Sequence, residues 1–244
     1  MMDDNNKRAN FNDENSVKAL DDKASTLNDM DALSQYFKST ASMREGRAIP
    51  PLESWHPEQV TDMDLTIKAN GEWWHEGVHM TRESLVSLFA TILWKEENNG
   101  SVAYFLKTPV QKLRIQVEDA PLLINDVGIV QEDNKRWLEF TTTTGDVVRL
   151  DDEHPIYLRA YAVKNSDHKQ SKEESKSIEN ESIESDTQIR PYMMVRNGLE
   201  ALIGRNAFYH LTDIGELTEQ NGETILTLQS GGKSYTLSMP SDSP

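Results

Sequence analysis

Residues 71–121 constrain the fold more than any other part of this chain. Trp73-Trp74 follows an Asn70-Gly71 pair, then a broad apolar stripe runs through Leu85, Val86, Leu88, Phe89, Ile92 and Leu93. Two strand-like segments come after it, the apolar run Val102 to Leu106 and the alternating Leu113 to Val117. Apolar residues three and four apart bury one side of a helix, whereas alternating ones bury one face of a strand. The stretch is therefore expected to fold as strand, helix, strand. Thr81 is the expected N-cap and Asn98-Asn99-Gly100 the expected stop of the helix. Asn70-Gly71 is a two-residue hairpin signal.

Two polar stretches frame the foldable part. Residues 1–47 are rich in Asn, Asp, Ser and Lys, and residues 164–188 are a charged, low-complexity run. Such segments bury too little apolar surface to offset the entropy of ordering, so both are expected to be disordered. One short amphipathic helix through Met30, Leu33, Tyr36 and Phe37 is the exception considered. What remains is roughly 170 residues, the size of a compact domain. It divides into residues 48–163, a first α+β half with a β-meander, and residues 189–240, a second half.

The meander follows from alternation in Asp64 to Lys68 and Leu113 to Val117, and from Leu122 to Val130, Trp137 to Thr143, Val147 to Leu150 and Pro155 to Val163 as further strands, with the turn signals Glu132-Asp133-Asn134 and Thr144-Gly145 among them. In the second half, Asn197 with Glu200 three residues on resembles a capping box, and Leu199, Leu202 and Ile203 repeat the helical spacing of Leu85, Leu88 and Phe89. Thr224 to Leu228 and Ser234 to Leu237 are expected as a hairpin around Ser230-Gly231-Gly232. Trp73 to Leu106 and Tyr192 to Leu228 thus share an order of strand, capped helix and strand, which suggests a repeat.

The formal charge is −16 and there are no cysteines. Excess negative charge repels phosphate backbones and anionic lipid heads, so neither nucleic acid nor a membrane is the expected partner. The lack of cysteine excludes disulfides, thiolate metal sites and cysteine nucleophiles. With no signal-peptide pattern at the start and no apolar run long enough to span a bilayer, a cytoplasmic protein is expected.

His75-Glu76-Gly77-Val78-His79 matches H-E-x-x-H, in which two histidines four apart on a helix hold a zinc ion beside a glutamate base. Here Gly77 and Val78 interrupt the motif, and the helix is expected only after Thr81. As one strand the two histidines would stand about 13 Å apart, beyond joint ligation. Nothing in the spacing selects His154 or His210 as a third ligand. No phosphate-binding glycine loop and no G-x-S-x-G is present. Arg82, Lys112, Arg196 and Arg205 are candidate charge donors to an anion. Trp73 and Tyr209 are candidate stacking surfaces, and Glu118 and Asp119 candidate orienting acids.

Several motifs in order resemble one family: Trp73-Trp74-His75-Glu76-Gly77, the Arg82 to Phe89 helix, Thr108-Pro109-Val110 with Lys112, Ile115 to Pro121, and Val195-Arg196 with Gly198 to Ile203, Arg205 and Phe208-Tyr209. Together they are similar to the bacterial family catalogued as domain of unknown function 1285, over about residues 60–238 outside the polar insert. The resemblance implies an α+β architecture with a repeated structural motif, a suggested part in ligand sensing or signalling, and no known catalytic residues. His79 departs from the family pattern, where a non-histidine residue, often proline, is expected.

The expectation is an α+β fold of two related strand-helix-strand halves, with helices packed on twisted, mainly antiparallel sheets and a ligand cleft where the halves meet. Its expected function is a cofactor-free, non-catalytic binding or regulatory module for a small anionic ligand or a protein partner. The alternatives are a zinc hydrolase using His75, Glu76 and His79, and a structural or assembly protein. The oligomeric state is left open.

Overall fold

The computed structural model of the chain describes residues 49–162 and 187–240. The expected disordered tail, with its short helix, lies outside the described residues. So does the charged insert, except Thr187 and Gln188, which open a strand. The described residues fall into two compact units: residues 49–121 with Asn197–Leu199, and the remainder. Among them no helix is long and apolar enough to cross a membrane.

In the first unit a 3-10 turn at Leu52–Ser54 buries Leu52 and leads into strand β1, Gln59–Ile67. A hairpin turn forms at Asn70-Gly71, but only Gly71 has positive φ, 85°, and the Gly71 amide donates to the Lys68 carbonyl. The turn is therefore longer than the expected two-residue one, with the Asn70 Oδ1 accepting from the Glu72 amide at 3.0 Å. It leads to β2, Trp73–His75, which folds back at once into β3, Val78–His79. Helix α1 covers only Glu83–Ala90. Strands β4, Leu93–Asn98, β5, Ser101–Lys107, and β6, Gln111–Val117, then complete a six-stranded sheet ordered β3-β2-β1-β6-β5-β4. Alternation sets its buried face: Leu65 and Ile67 on β1 and Leu113 and Ile115 on β6 are all core residues.

The second unit carries β7, Leu122–Glu132, β8, Lys135–Thr142, β9, Val147–Arg149, β10, Ile156–Ala162, β11, Thr187–Arg196, and β12, Leu199–Ile203. These form a sheet ordered β10-β11-β12-β7-β8-β9. Helix α2, Arg205–Ile214, follows β12. A separate three-stranded sheet then forms from β13, Glu216–Gln220, β14, Glu223–Ser230, and β15, Lys233–Pro240. The β14–β15 hairpin expected at Gly231-Gly232 is present, and its tip is tied to β8. Leu138 N donates to Ser230 Oγ at 3.1 Å, and Gly231 N donates to the Arg136 carbonyl at 2.8 Å.

The two large sheets have one topology. Each is a pair of three-stranded antiparallel meanders joined along a single parallel pair, β1 with β6 and β7 with β12. In both, the chain leaves the centre for one edge, crosses to the other edge and returns to the centre.

The expected α+β class is overturned. Among the described residues there are fifteen strands and two α-helices, of eight and ten residues, so the molecule is mostly β. The related strand-helix-strand halves are also replaced. After α1 the chain rejoins the same sheet, whereas after α2 it starts a separate one, so the recurring unit is the six-stranded sheet. Two misread turns explain the error. Asn99-Gly100 does not stop a helix but joins β4 to β5, and Asn197-Gly198 does not cap one but joins β11 to β12. All four residues have positive φ, between 47° and 78°, as a two-residue type I′ hairpin requires. Leu93–Asn98 and Leu199–Ile203, assigned to helices from their spacing, are therefore strands.

Candidate functional site

The zinc motif fails on backbone geometry. Glu76 and Gly77 both have positive φ, 49° and 74°, and form the tip of the β2–β3 hairpin. His75 pairs with Val78 while His79 pairs with Trp74, so the two histidines lie on opposite faces of the ribbon. His79 instead stacks on Trp74, with ring centroids 5.5 Å apart. Zinc needs its donors to converge, and no group of three or more such side chains does so among the described residues.

The other candidates in the first unit serve its packing. Trp73 is 3% exposed, a core residue rather than a stacking surface. Arg82 is the N-cap of α1, exposed and without a capping side-chain bond. Thr81, the expected cap, lies one residue too early. Lys112 binds both carboxylate oxygens of Glu96, at 2.7 and 2.9 Å. Glu118 closes the β1–β2 turn by accepting from the Lys68 ammonium at 2.8 Å and the Ala69 amide at 3.1 Å. Asp119 is half-buried beside it in sequence.

In the second unit Arg196 is committed to Asp146, its Nε donating to Oδ1 at 2.6 Å. The other oxygen of Asp146 accepts from the hydroxyls of Thr142 and Thr144, both at 3.2 Å. Glu200, expected in a capping box, is 8% exposed and accepts from the Tyr157 hydroxyl and the Arg159 guanidinium. Burial, and then the bond to this carboxylate, push the Tyr157 hydroxyl above its usual pKa, so it stays a donor. Arg159 also lies over the Tyr192 ring, 3.9 Å from its centroid.

Arg205 and Tyr209 are the two expected residues that come together. They stand one turn apart on α2, with the guanidinium carbon 5.7 Å from the ring centroid. Among the described residues Arg205 has no carboxylate partner. It opens α2 and lines a cavity of about 790 Å³ within this unit. Leu158, Pro191, Leu202, Ile203, Phe208 and Met239 supply apolar lining, and Thr187, Gln188 and Arg190 supply polar lining. Gly204 sits where the cavity meets the helix. A Cβ there would come within 2.9 Å of the Ile124 carbonyl, so only glycine lets α2 start this close to β7. It offers no capping side chain, and the first turn holds no acid, so the positive end of the helix dipole is uncompensated by sequence.

Arg190 and the apolar lining are absent from the sequence-derived candidates. Leu158 opposite Pro191, and Arg159 opposite Arg190, become neighbours only through the β10–β11 pairing across the polar insert. The sequence marks a strand at Pro155 to Val163 and another from Tyr192, but not their pairing with each other.

Residues 50–120 match the N-terminal domain model of the domain of unknown function DUF1285, and residues 161–237 match the C-terminal domain model of the same family. A crystal structure of a DUF1285 family protein from Silicibacter pomeroyi DSS-3 is similar, with a TM-score of 0.59 and 29% identity, over 84% of this chain and 95% of that one. A second, from Shewanella baltica OS155, gives a TM-score of 0.39 and 25% identity, over 62% of this chain and 91% of that one. No curated protein matches the chain.

Proposed function

The chain belongs to the DUF1285 family, and from that premise we propose that it is a binding module for a small amphipathic anion, held in the cavity of its second unit. One observation carries the reading: a mostly apolar cavity of drug-like size has an arginine without a carboxylate partner, Arg205, beside a helix N-terminus that no side chain caps. Apolar walls with a few convergent polar groups are the usual make-up of a small-molecule site. An anionic head at Arg205 gains a charge-assisted bond together with the helix dipole, while the apolar body displaces water from Leu202, Phe208 and Met239. Arg190, which donates to Gln188 Oε1 from Nε at 3.2 Å and from Nη2 at 2.9 Å, narrows the polar side.

An anilinonaphthalene sulfonate, an aromatic body with one fixed negative charge, is a suitable probe. Titration of the full chain is expected to show one blue-shifted, saturable site. Arg205→Ala weakens it about three- to ten-fold, the range for losing one partly exposed charged contact. Arg205→Glu weakens it further, and Leu202→Trp, which fills the cavity, abolishes it. Affinity unchanged by all three substitutions would sink the proposal. Native mass spectrometry of the untagged protein then asks whether an organic anion co-purifies, and whether Leu202→Trp loses it.

A further inference from the structure

We propose that Lys107, in the first unit, is a reactive amine that takes up a small carbonyl compound bearing a carboxylate. The side chain is 4% exposed, an unusual setting for lysine, which is almost never buried unless paired. Its nitrogen lies 3.8 Å from the centroid of the Trp94 ring. Among the described residues its side-chain nitrogen makes no hydrogen bond and no ion pair, and it is not among those sealed from solvent without a partner. The nitrogen therefore keeps a little solvent contact beside the face of the Trp94 ring.

The neighbours strengthen the case. Lys107 stands directly opposite Lys112 across the β5–β6 hairpin, on the face that carries Trp94 and Glu96 of β4 and Phe105 of β5. Glu53, on the 3-10 turn, is the remaining charged group that acts on it. Glu96 is already held by Lys112, so its charge is shared between the two amines. Burial first, and the Lys112 charge in addition, favour the neutral amine, while Glu96 and then Glu53 oppose them. The balance holds Lys107 below the usual lysine range. A desolvated amine beside a second cation is an arrangement that makes lysine nucleophilic.

The chemistry needs no oxidant or reductant. The Lys107 lone pair attacks the carbonyl carbon and the C=O electrons move to oxygen, which takes a proton. Loss of that oxygen as water, with the nitrogen giving up its protons, forms the C=N bond of an imine. A carboxylate on the same small molecule meets the Lys112 ammonium.

Glyoxylate, which carries both groups, is the probe. The full chain is incubated with it and cyanoborohydride at neutral pH, and the reduced adducts are mapped by peptide mass spectrometry. Lys107 is expected to gain a carboxymethyl group ahead of the exposed Lys68 and Lys233, and Lys107→Arg loses that adduct. Lys112→Gln is expected to slow labelling by glyoxylate more than labelling by formaldehyde, which has no carboxylate; equal slowing removes the carboxylate contact from the proposal. Labelling of Lys68 and Lys233 with Lys107 untouched would show an ammonium locked on Trp94 and overturn the whole idea. Urea unfolding gives a second readout. A lysine held below its unfolded pKa binds fewer protons when folded, so wild-type stability rises relative to Lys107→Met from the depressed folded pKa up to the ordinary lysine range. A difference that does not vary with pH also overturns it.

Discussion

Gly231 and Gly232 stand side by side in the β14–β15 turn, with φ of 61° and 84°, yet only one of them has a neighbour. A Cβ on Gly231 would lie 2.4 Å from the Trp137 ring, whereas one on Gly232 meets nothing within 4 Å. Both substitutions to alanine incur the strain of a left-handed residue, about 1–2 kcal/mol. Gly231→Ala adds an overpacking cost of about 1–3 kcal/mol, because the ring that must move is held on β8 by the bonds from Leu138 and to Arg136. Urea denaturation is expected to show Gly231→Ala as the more destabilised variant by at least about 1 kcal/mol. Equal losses would mean that the hairpin tip is not seated on Trp137.

The two helices begin in opposite ways, and this separates a replaceable residue from an obligatory one. Arg82, at the N-cap of α1, has extended backbone angles suited to a capping side chain but makes no capping bond. Arg82→Asp therefore supplies an acceptor to the free amides and is expected to raise the urea midpoint by about 0.5–1 kcal/mol of stability. Gly204, at the N-cap of α2, admits no such gain, since any Cβ runs into the Ile124 carbonyl. Gly204→Ser is expected to destabilise although serine is the better cap. A gain from both substitutions would contradict the close approach of α2 to β7. Strands were legible in the sequence where alternation or paired turn signals marked them: Leu113 to Val117 by its side-chain period, and Leu122 to Val130 and Trp137 to Thr143 by the Glu132-Asp133-Asn134 turn between them. Helical spacing misleads where an Asn-Gly pair borders an apolar run, after it at Asn99-Gly100 and before it at Asn197-Gly198. The same pair terminates a helix or turns a hairpin, and only the partner strand chooses between them. Arg205 with Tyr209 was legible for the converse reason, being a contact within one helix. The cavity wall at Leu158, Arg190 and Pro191 was not, because it depends on pairing between strands that the polar insert separates.

At the scale of the molecule, each large sheet depends on its single parallel pair, the place where two meanders are joined. Strands β1 and β6 are bonded on both sides, as are β7 and β12, while β3, β4 and β9 are outermost in their sheets. An amide in a central strand exchanges only when a neighbouring strand also opens, whereas one at an edge exchanges through local fraying. The β1–β6 ladder is interrupted between Asp62 and Thr66, so its strongest protection belongs to the uninterrupted runs on either side, at Val60 to Asp62 and at Thr66 and Ile67. Hydrogen exchange of the full chain, read by mass spectrometry, is therefore expected to show β6 and β12 among the slowest peptides and β3 and β9 among the fastest. The two sheets share a topology, so the ranking should repeat from one to the other even though their side chains differ. Were β1 and β6 to exchange as fast as β3, the first unit would consist of two independent meanders. The likeness between the sheets would then lie in their hairpins and not in a shared six-stranded unit.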